Sequence, residues 1–232
     1  MADADDLGAA TPTSVRDDGT LVLADGRLLR LAEIELPPGR DGRTARAAIL
    51  DWAKGGVFTL KADGPAQDRF GRLVAQAYAA DGTWIEEALL RQGLARVDTT
   101  TDHHAMAHDL LAAERAARSH RLGLWDNPDY ALRTPGQAAR LTDTWQIVEG
   151  MVVAARVTHG DIYLAFGEDR ERDLAVRIPD AIAEELALDP DALVGRKLRV
   201  RGWIGKTIGP VIAIDHAEQI ELGARARRVA AQ

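Results

Sequence analysis

The chain has 232 residues, a formal net charge of −7 and no cysteine. Its length predicts two small domains, and 46% apolar with 28% charged residues excludes a disordered or collagen-like chain. The acidic balance excludes a protein that coats nucleic acid through bulk positive charge, and the lack of cysteine excludes disulfides and thiolate metal sites.

The start of the chain, residues 1–14, is acidic and rich in small residues. It has neither the basic nor the apolar region of a signal peptide, and no later stretch is apolar enough to span a bilayer. We therefore predict a flexible N-terminus over 1–14 and a cytoplasmic location. A periplasmic or secreted location is the alternative, which applies if a signal peptide preceding Ala2 was omitted.

The first half then predicts a strand meander with helices. Residues 20–34 form a hairpin around Asp25-Gly26, because Asp-Gly supplies the positive φ angles of a tight turn. A loop rich in proline and glycine follows, and residues 43–54 carry apolar residues at helical spacing. The remaining predicted elements are two strands and two helices: 57–61, 73–78, 84–92 and 102–121. This order is typical of a five-stranded barrel of the OB-fold type.

Residues 127–143 predict a linker, because proline, glycine, asparagine and aspartate increase there and apolar periodicity fades. Beyond it, five strand-like segments and one helix predict a second OB-like domain over 144–222, followed by a tail over 223–232. These segments are 145–157, 162–166, 174–178, 197–204 and 211–214, with the helix at 181–186. The predicted fold class is therefore mainly β with helices (α+β), as two small β-barrels in tandem.

Three segments of the first half resemble the staphylococcal nuclease family, in the family's order. Residues 81–97 are similar to its segment joining the last barrel strand to the next helix. Residues 68–72 are similar to its Asp-x-aromatic-Gly-Arg motif, and Gly123-Leu124-Trp125 is similar to the end of its last helix. The resemblance covers residues 15–126 and implies a nuclease-like barrel there.

The resemblance also implies a set of site residues. Family members hydrolyse phosphodiester bonds in DNA and RNA with calcium, using acidic ligands, a glutamate that activates water and two arginines that bind phosphate. The arginine positions fall on Arg30 and Arg72, and Arg69 lies in the same motif as Arg72. Arginine suits this role because its planar fork of donors matches a phosphate. Arg30 and Arg72 are therefore the predicted phosphate ligands, and Arg69 is a further binding residue.

The other positions of the family site are altered. The first acidic ligand position falls on Gly19 and the second on Glu35, whose side chain is longer than aspartate. The position of the water-activating glutamate falls on Pro38, which cannot act as a base. The two base-stacking aromatic positions fall on Thr99 and Thr101. These substitutions predict that cleavage is lost or weakened.

Two nearby carboxylates are candidate replacements. Asp18 precedes Gly19 in a turn and is predicted, with Thr20, as a binding residue. Asp18 and Glu35 together are the candidate metal ligands. Asp41 is a further candidate from the Pro-Gly loop.

Three functions stay open. The first is a noncatalytic module, with no cofactor, that binds single-stranded nucleic acid, a nucleotide phosphate or a protein partner. The second is a calcium-dependent endonuclease with rearranged ligands. The third is a structural scaffold in which Arg30 and Arg72 form ion pairs with Glu33 or Glu35. The sequence does not indicate an oligomeric state.

Two further clusters have a structural and a functional interpretation. His104 and His108 are four residues apart, as in helical zinc sites, but a solvated helix start is favoured. In the second half, Tyr163 and Phe166 are candidates for base stacking, although strand periodicity favours aromatics that fill the barrel. The basic residues that would flank them are Arg172, Arg177, Lys197, Arg199 and Arg201.

Overall fold

A computed structural model of the chain describes residues 5–225. The chain divides into two compact units between Tyr130 and Ala131. The first unit contains β1 (Asp5–Ala10), β2 (Pro12–Val15), β3 (Leu21–Leu23), β4 (Leu28–Leu31), β5 (Ile34–Glu35), α1 (Arg43–Lys54), β6 (Phe58–Ala62), β7 (Leu73–Tyr78), α2 (Ile85–Arg91), β8 (Arg96–Val97) and α3 (Ala107–Ser119). The second contains α4 (Pro135–Ala138), β9 (Trp145–Met151), β10 (Ala154–Thr158), β11 (Asp161–Ala165), β12 (Ala175–Ile178), α5 (Asp180–Glu185), α6 (Pro190–Leu193), β13 (Arg196–Lys206), β14 (Pro210–Ala213) and β15 (Ile220–Arg225).

The sheet of the first unit closes on itself. Its strand order is β1-β6-β7-β4-β3-β2, and only Thr11 separates β1 from β2, so the two ends of the sheet are halves of one bent strand. The β4–β7 pair is parallel and the other pairs are antiparallel. A meander closed by one parallel pair is the arrangement expected of an OB-type barrel.

Alternating burial along the strands fills this barrel. On β4, Leu29 and Leu31 are buried while Arg30 is half-buried on the other face. On β6, Phe58 and Leu60 are fully buried, and α1 adds Ile49 to the same core. Period-two alternation of this kind is what a strand with one face in a core requires.

The second unit follows the same path. Strands β10-β11-β12-β14-β13 are neighbours in that order, β9 pairs with β13, and the β12–β14 pair is parallel. Since only residues 152–153 separate β9 from β10, this sheet closes too, and β15 adds a further strand beside β13. The predicted fold class, α+β with two β modules, is confirmed.

The N-terminus differs from the prediction. The predicted flexible segment 1–14 contains β1 and most of β2 within its described residues. β1 pairs with β6 through its backbone, and Ala10 and Pro12 are buried. Backbone pairing therefore orders a segment whose side chains are mostly exposed.

Two later boundaries also differ. The predicted linker 127–143 contains α4, and Ala138 is fully buried in the second core. A capping box in which Thr134 and Gln137 bond each other's backbone N–H begins this helix. β15 runs to Arg225, past the predicted end at 222, and the rest of the predicted tail lies outside the described residues.

The predicted helix 102–121 begins later, at Ala107. Thr100 and His103 exchange backbone hydrogen bonds, which makes a turn instead of a first helical turn. The predicted placement of His104 and His108 on one helix face is therefore wrong. Between residues 5 and 225, no helix combines the length and apolar character needed to cross a bilayer.

Candidate phosphate-binding site

Arg72 is held in place immediately before β7. Its Nε donates to Asp68 Oδ2 at 2.8 Å, and its Nη1 donates to Thr20 Oγ1 at 3.0 Å. Asp68 Oδ1 also accepts the backbone N–H groups of Phe70 and Arg72, so one carboxylate fixes both the loop and the guanidinium. Within residues 5–225 these contacts use two of the five N–H donors of Arg72. The remaining donors are free to bind an anion.

The electrostatics of Asp68 match this role. Burial opposes ionisation of its carboxyl group, but hydrogen bonds from Arg72 and Phe70 outweigh burial and lower the pKa of Asp68. Asp68 is therefore ionised at neutral pH, as a partner that anchors Arg72 must be.

Arg30 projects from β4 and is also paired. Its Nη2 donates to Asp98 Oδ2 at 2.8 Å, and the two side chains are 34% and 24% exposed. This hydrogen bond uses one of the five N–H donors of Arg30. Arg30 can therefore also contact a ligand, which would compete with Asp98.

The strand register places Arg30 and Arg72 on the same face of the sheet. Leu29 of β4 lies opposite Leu73 of β7, and both leucines are buried. Arg30 follows Leu29 and Arg72 precedes Leu73, so both arginines lie on the outer face of neighbouring parallel strands.

Asp18 belongs to the Arg72 group. Its Oδ1 accepts the backbone N–H of Thr20 at 3.0 Å. This hydrogen bond is the main cause of a lowered pKa of Asp18, and the positive charge of Arg72 contributes. Thr20 is 2% exposed and connects the two residues, since its hydroxyl accepts from Arg72. The predicted binding residues Asp18 and Thr20 are thus grouped with Arg72.

Glu35 belongs to a different group. It lies directly opposite Arg96 in the β5–β8 pair, and Arg96 Nε donates to Glu35 Oε2 at 2.6 Å. Tyr130 donates from its hydroxyl to Asp41 Oδ2 at 3.3 Å, and desolvation followed by Asp41 raises the pKa of Tyr130. The charges of Arg96 and Glu35 also act on Tyr130. Glu35 is therefore held by Arg96, and Asp41 is held by Tyr130.

These contacts correct the ion pairs predicted for the scaffold hypothesis. Arg30 pairs with Asp98 and Arg72 with Asp68, and neither pairs with Glu33 or Glu35. Glu33 is instead buried, where its Oε1 accepts the backbone N–H of Met106.

Asp18 and Glu35, the carboxylates of the predicted metal pair, each already accept a hydrogen bond from the protein. Calcium takes six to eight oxygen ligands, and usually several carboxylates. Asp18 caps Thr20 and Glu35 is held by Arg96. In the described part of the chain, no group of three or more histidine, aspartate or glutamate side chains is placed to hold a metal ion.

Phe70 lies beside Arg72 and was not among the predicted site residues. It is 68% exposed, with the guanidinium carbons of Arg69 and Arg72 at 4.8 Å and 5.5 Å from its ring centroid. Both distances are within the range of a cation–π contact. Its position in the Asp-x-aromatic-Gly-Arg motif was the available signal. By contrast Thr99, at a predicted base-stacking position, is 8% exposed.

The comparisons with known proteins agree with the sequence motifs. Residues 30–127 match the family model described as staphylococcal nuclease homologue. The succinoglycan biosynthesis protein ExoI of Rhizobium meliloti strain 1021 is 29% identical, over 54% of this chain and 72% of its own length.

Two Bacillus subtilis strain 168 proteins are similar to a shorter part of the chain. Endonuclease YncB and the SPbeta prophage-derived endonuclease YokF are each 31% identical over 40% of this chain. The matched segment spans 44% of YncB and 31% of YokF, so the chain covers less than half of either endonuclease.

Proposed function

We propose that the staphylococcal nuclease domain, which this chain carries over residues 30–127, binds a phosphate-bearing ligand and has lost most of its calcium-dependent cleavage. The ligand is a nucleotide phosphate or a nucleic-acid strand, and Arg72 and Arg30 are its phosphate contacts.

One observation supports the proposal that this domain binds phosphate. Arg72 is anchored by Asp68 and Thr20, keeps free donors and lies beside the exposed ring of Phe70. A fixed guanidinium binds phosphate with little loss of side-chain entropy, and an exposed aromatic ring offers a face to a base.

The loss of cleavage is supported by the acidic side of the site. Cleavage of a phosphodiester needs a metal or equivalent charge and a group that activates water. Gly19 has no carboxylate, Glu35 is neutralised by Arg96, and Pro38 replaces the base. General-base catalysis contributes about a hundred- to ten-thousand-fold, so the change at Pro38 alone is severe.

The alternative is an active calcium-dependent endonuclease. It is favoured by the two relatives that are named endonucleases and by the position of Asp18 beside Arg72. In this alternative Asp18 supplies the ligand that Gly19 lacks. A scaffold role is favoured only by the Arg30–Asp98 and Arg72–Asp68 ion pairs.

Titration with a nucleoside monophosphate tests the proposal. Arg72→Ala should weaken binding about tenfold or more, since a hydrogen bond to a charged group contributes about 1.5–3 kcal/mol. Arg91→Ala is the matched control, because Arg91 is an exposed arginine paired with Glu87 on α2. Equal affinity of the wild type and Arg72→Ala would exclude this site.

A further inference from the structure

We propose that the outer face of strands β10, β11 and β12 in the second unit binds single-stranded nucleic acid, with Tyr163 stacking on a base and Arg156 and Arg177 contacting phosphates. This surface is separate from the Arg30 and Arg72 site and does not depend on the function proposed for it.

The register of three strands builds the surface. Tyr163 on β11 lies opposite Arg156 of β10 on one side and opposite Arg177 of β12 on the other. Its chain neighbours Ile162 and Leu164 are 3% and 0% exposed, so they point into the core and Tyr163 points away from it. The expectation that this aromatic fills the barrel is therefore wrong. Phe166, in contrast, packs against the core.

The next row of the same face is made of small residues. Ala165 lies opposite Ala154 on β10 and Ala175 on β12. Each alanine is two residues from a member of the arginine–tyrosine–arginine row and therefore on the same face. Beside Tyr163 the sheet thus presents a shallow surface, on which a planar base has room to lie.

The two arginines are available to a ligand. Arg156 is exposed and forms no ion pair within residues 5–225. Arg177 is 44% exposed and donates from Nε to Asp161 Oδ2 at 2.6 Å. This hydrogen bond is the main cause of a raised pKa of Arg177.

The basic residues of β13 form a contrasting surface. Arg199 is paired with both Glu149 and Glu221, and Arg201, which is 2% exposed, also pairs with Glu221. Their charge is neutralised within the unit, so Arg199 and Arg201 do not offer the phosphate contacts that Arg156 and Arg177 offer. Among the basic candidates from the sequence, Arg177 is the one on the face of Tyr163.

The row fits a single strand because it places one aromatic ring between two guanidinium groups. Every base has a π face for an aromatic ring, and the backbone beside it carries the phosphates that guanidinium groups bind. In a duplex the base faces are stacked and closed to Tyr163. The net charge of −7 limits the electrostatic attraction to this patch, so binding should be weak and sensitive to salt.

The test measures fluorescence anisotropy of a short labelled single-stranded oligonucleotide at low salt with the full chain. All proteins carry Arg30→Ala and Arg72→Ala, so that binding by the first unit does not contribute. Tyr163→Ala should weaken binding about tenfold, whereas Tyr163→Phe should retain it, because the stacking face is kept. Arg156→Ala should weaken binding about fivefold and reduce its dependence on salt.

Trp203→Ala is the matched control, since Trp203 is a 66% exposed aromatic on β13 of the same unit. Its substitution should leave the affinity unchanged. The proposal is overturned if the parent protein does not bind the oligonucleotide, if Tyr163→Ala and Arg156→Ala both bind like the parent, or if Trp203→Ala weakens binding equally. Equal affinity for a duplex would also overturn it. Because Arg156 is exposed, the test remains decisive even if Tyr163→Ala does not fold.

Discussion

Arg30 donates a 2.8 Å hydrogen bond from Nη2 to Asp98 Oδ2, so an arginine matched to a phosphate-binding position already holds a carboxylate of its own chain. Asp98 comes immediately after β8 and lies outside the three segments that resemble the nuclease family. A phosphate that binds Arg30 must share the guanidinium with Asp98 or displace it. We therefore expect Asp98 to lower the affinity of Arg30 for a phosphate.

We expect Asp98→Asn to increase the affinity for a nucleoside monophosphate about fivefold at low salt. The substitution keeps the shape of the side chain and removes its charge, and a partly exposed ion pair of this kind contributes up to about 1 kcal/mol. Isothermal titration gives the affinities. Glu87→Gln removes one negative charge from the Glu87–Arg91 pair and should change little. An equal gain in both variants would mean that net charge alone is responsible.

We expect Asp68→Asn to lower the free energy of unfolding by about 1–3 kcal/mol at pH 7, since hydrogen bonds to a charged group are lost. The folded pKa of Asp68 lies below its usual 3.8, so its stabilisation is present above that pH and is lost as the pH falls through the folded pKa. The difference from wild type should therefore shrink in acid. Urea unfolding at pH 7 and at pH 3 measures it, and a difference that is constant with pH would contradict the prediction.

The sequence predicted elements well where side chains carry the pattern. Helix α1 and strand β7 have their predicted bounds, because apolar spacing and a following glycine define the helix, and a run that is apolar except for Gln76 defines the strand. The prediction failed where the structure depends on backbone pairing or on a contact between residues that are distant in the chain. β1 is ordered by pairing with β6, and His103 is held by Asp63, 40 residues away in the chain.

The candidate site divides in the same way. Arg72 and its anchor Asp68 lie in one motif four residues apart, so the sequence contains both. The partners of Arg30 and Glu35 are 68 and 61 residues away and depend on how β8 lies against β5. No local pattern identifies Asp98 and Arg96 as those partners.

We expect the buried carboxyl group of Glu33 to make the free energy of unfolding depend on pH. It is 2% exposed, and burial first, together with the neighbouring carboxyl group of Asp63, raises its pKa from 4.5 to about 9. Between these values the folded state keeps a proton that the unfolded state has lost, so stability falls as the pH rises. We expect Glu33→Gln to gain stability over wild type from pH 5 to pH 8, with a slope of up to about 1.4 kcal/mol per pH unit.

Urea unfolding across this pH range measures the slope. Glu87→Gln changes a more exposed glutamate and should run parallel to wild type. If the Glu33→Gln profile also runs parallel to wild type, Glu33 is ionised in the folded protein and the prediction is wrong.

We expect the wild type to show little calcium-stimulated hydrolysis of single- or double-stranded DNA, and Gly19→Asp, Glu35→Asp and Pro38→Glu together to increase it. Shortening Glu35 withdraws its carboxylate from Arg96, while the other two changes supply a ligand and a base.

The Gly19→Asp substitution in this triple variant is expected to reduce the stability of the fold. Gly19 has φ +82°, and a Cβ there would lie 3.3 Å from Leu36 Cβ, so aspartate at this position is strained by about 1–2 kcal/mol. A matched triple variant with Asn, Asn and Gln at the three positions carries similar strain without the carboxylates, and it should gain no activity. Cleavage is followed with calcium and with a chelator, and thermal unfolding checks each fold. Robust calcium-dependent cleavage by the wild type that disappears in Asp18→Ala, with the fold intact, would instead establish the endonuclease in which Asp18 is the replacement ligand.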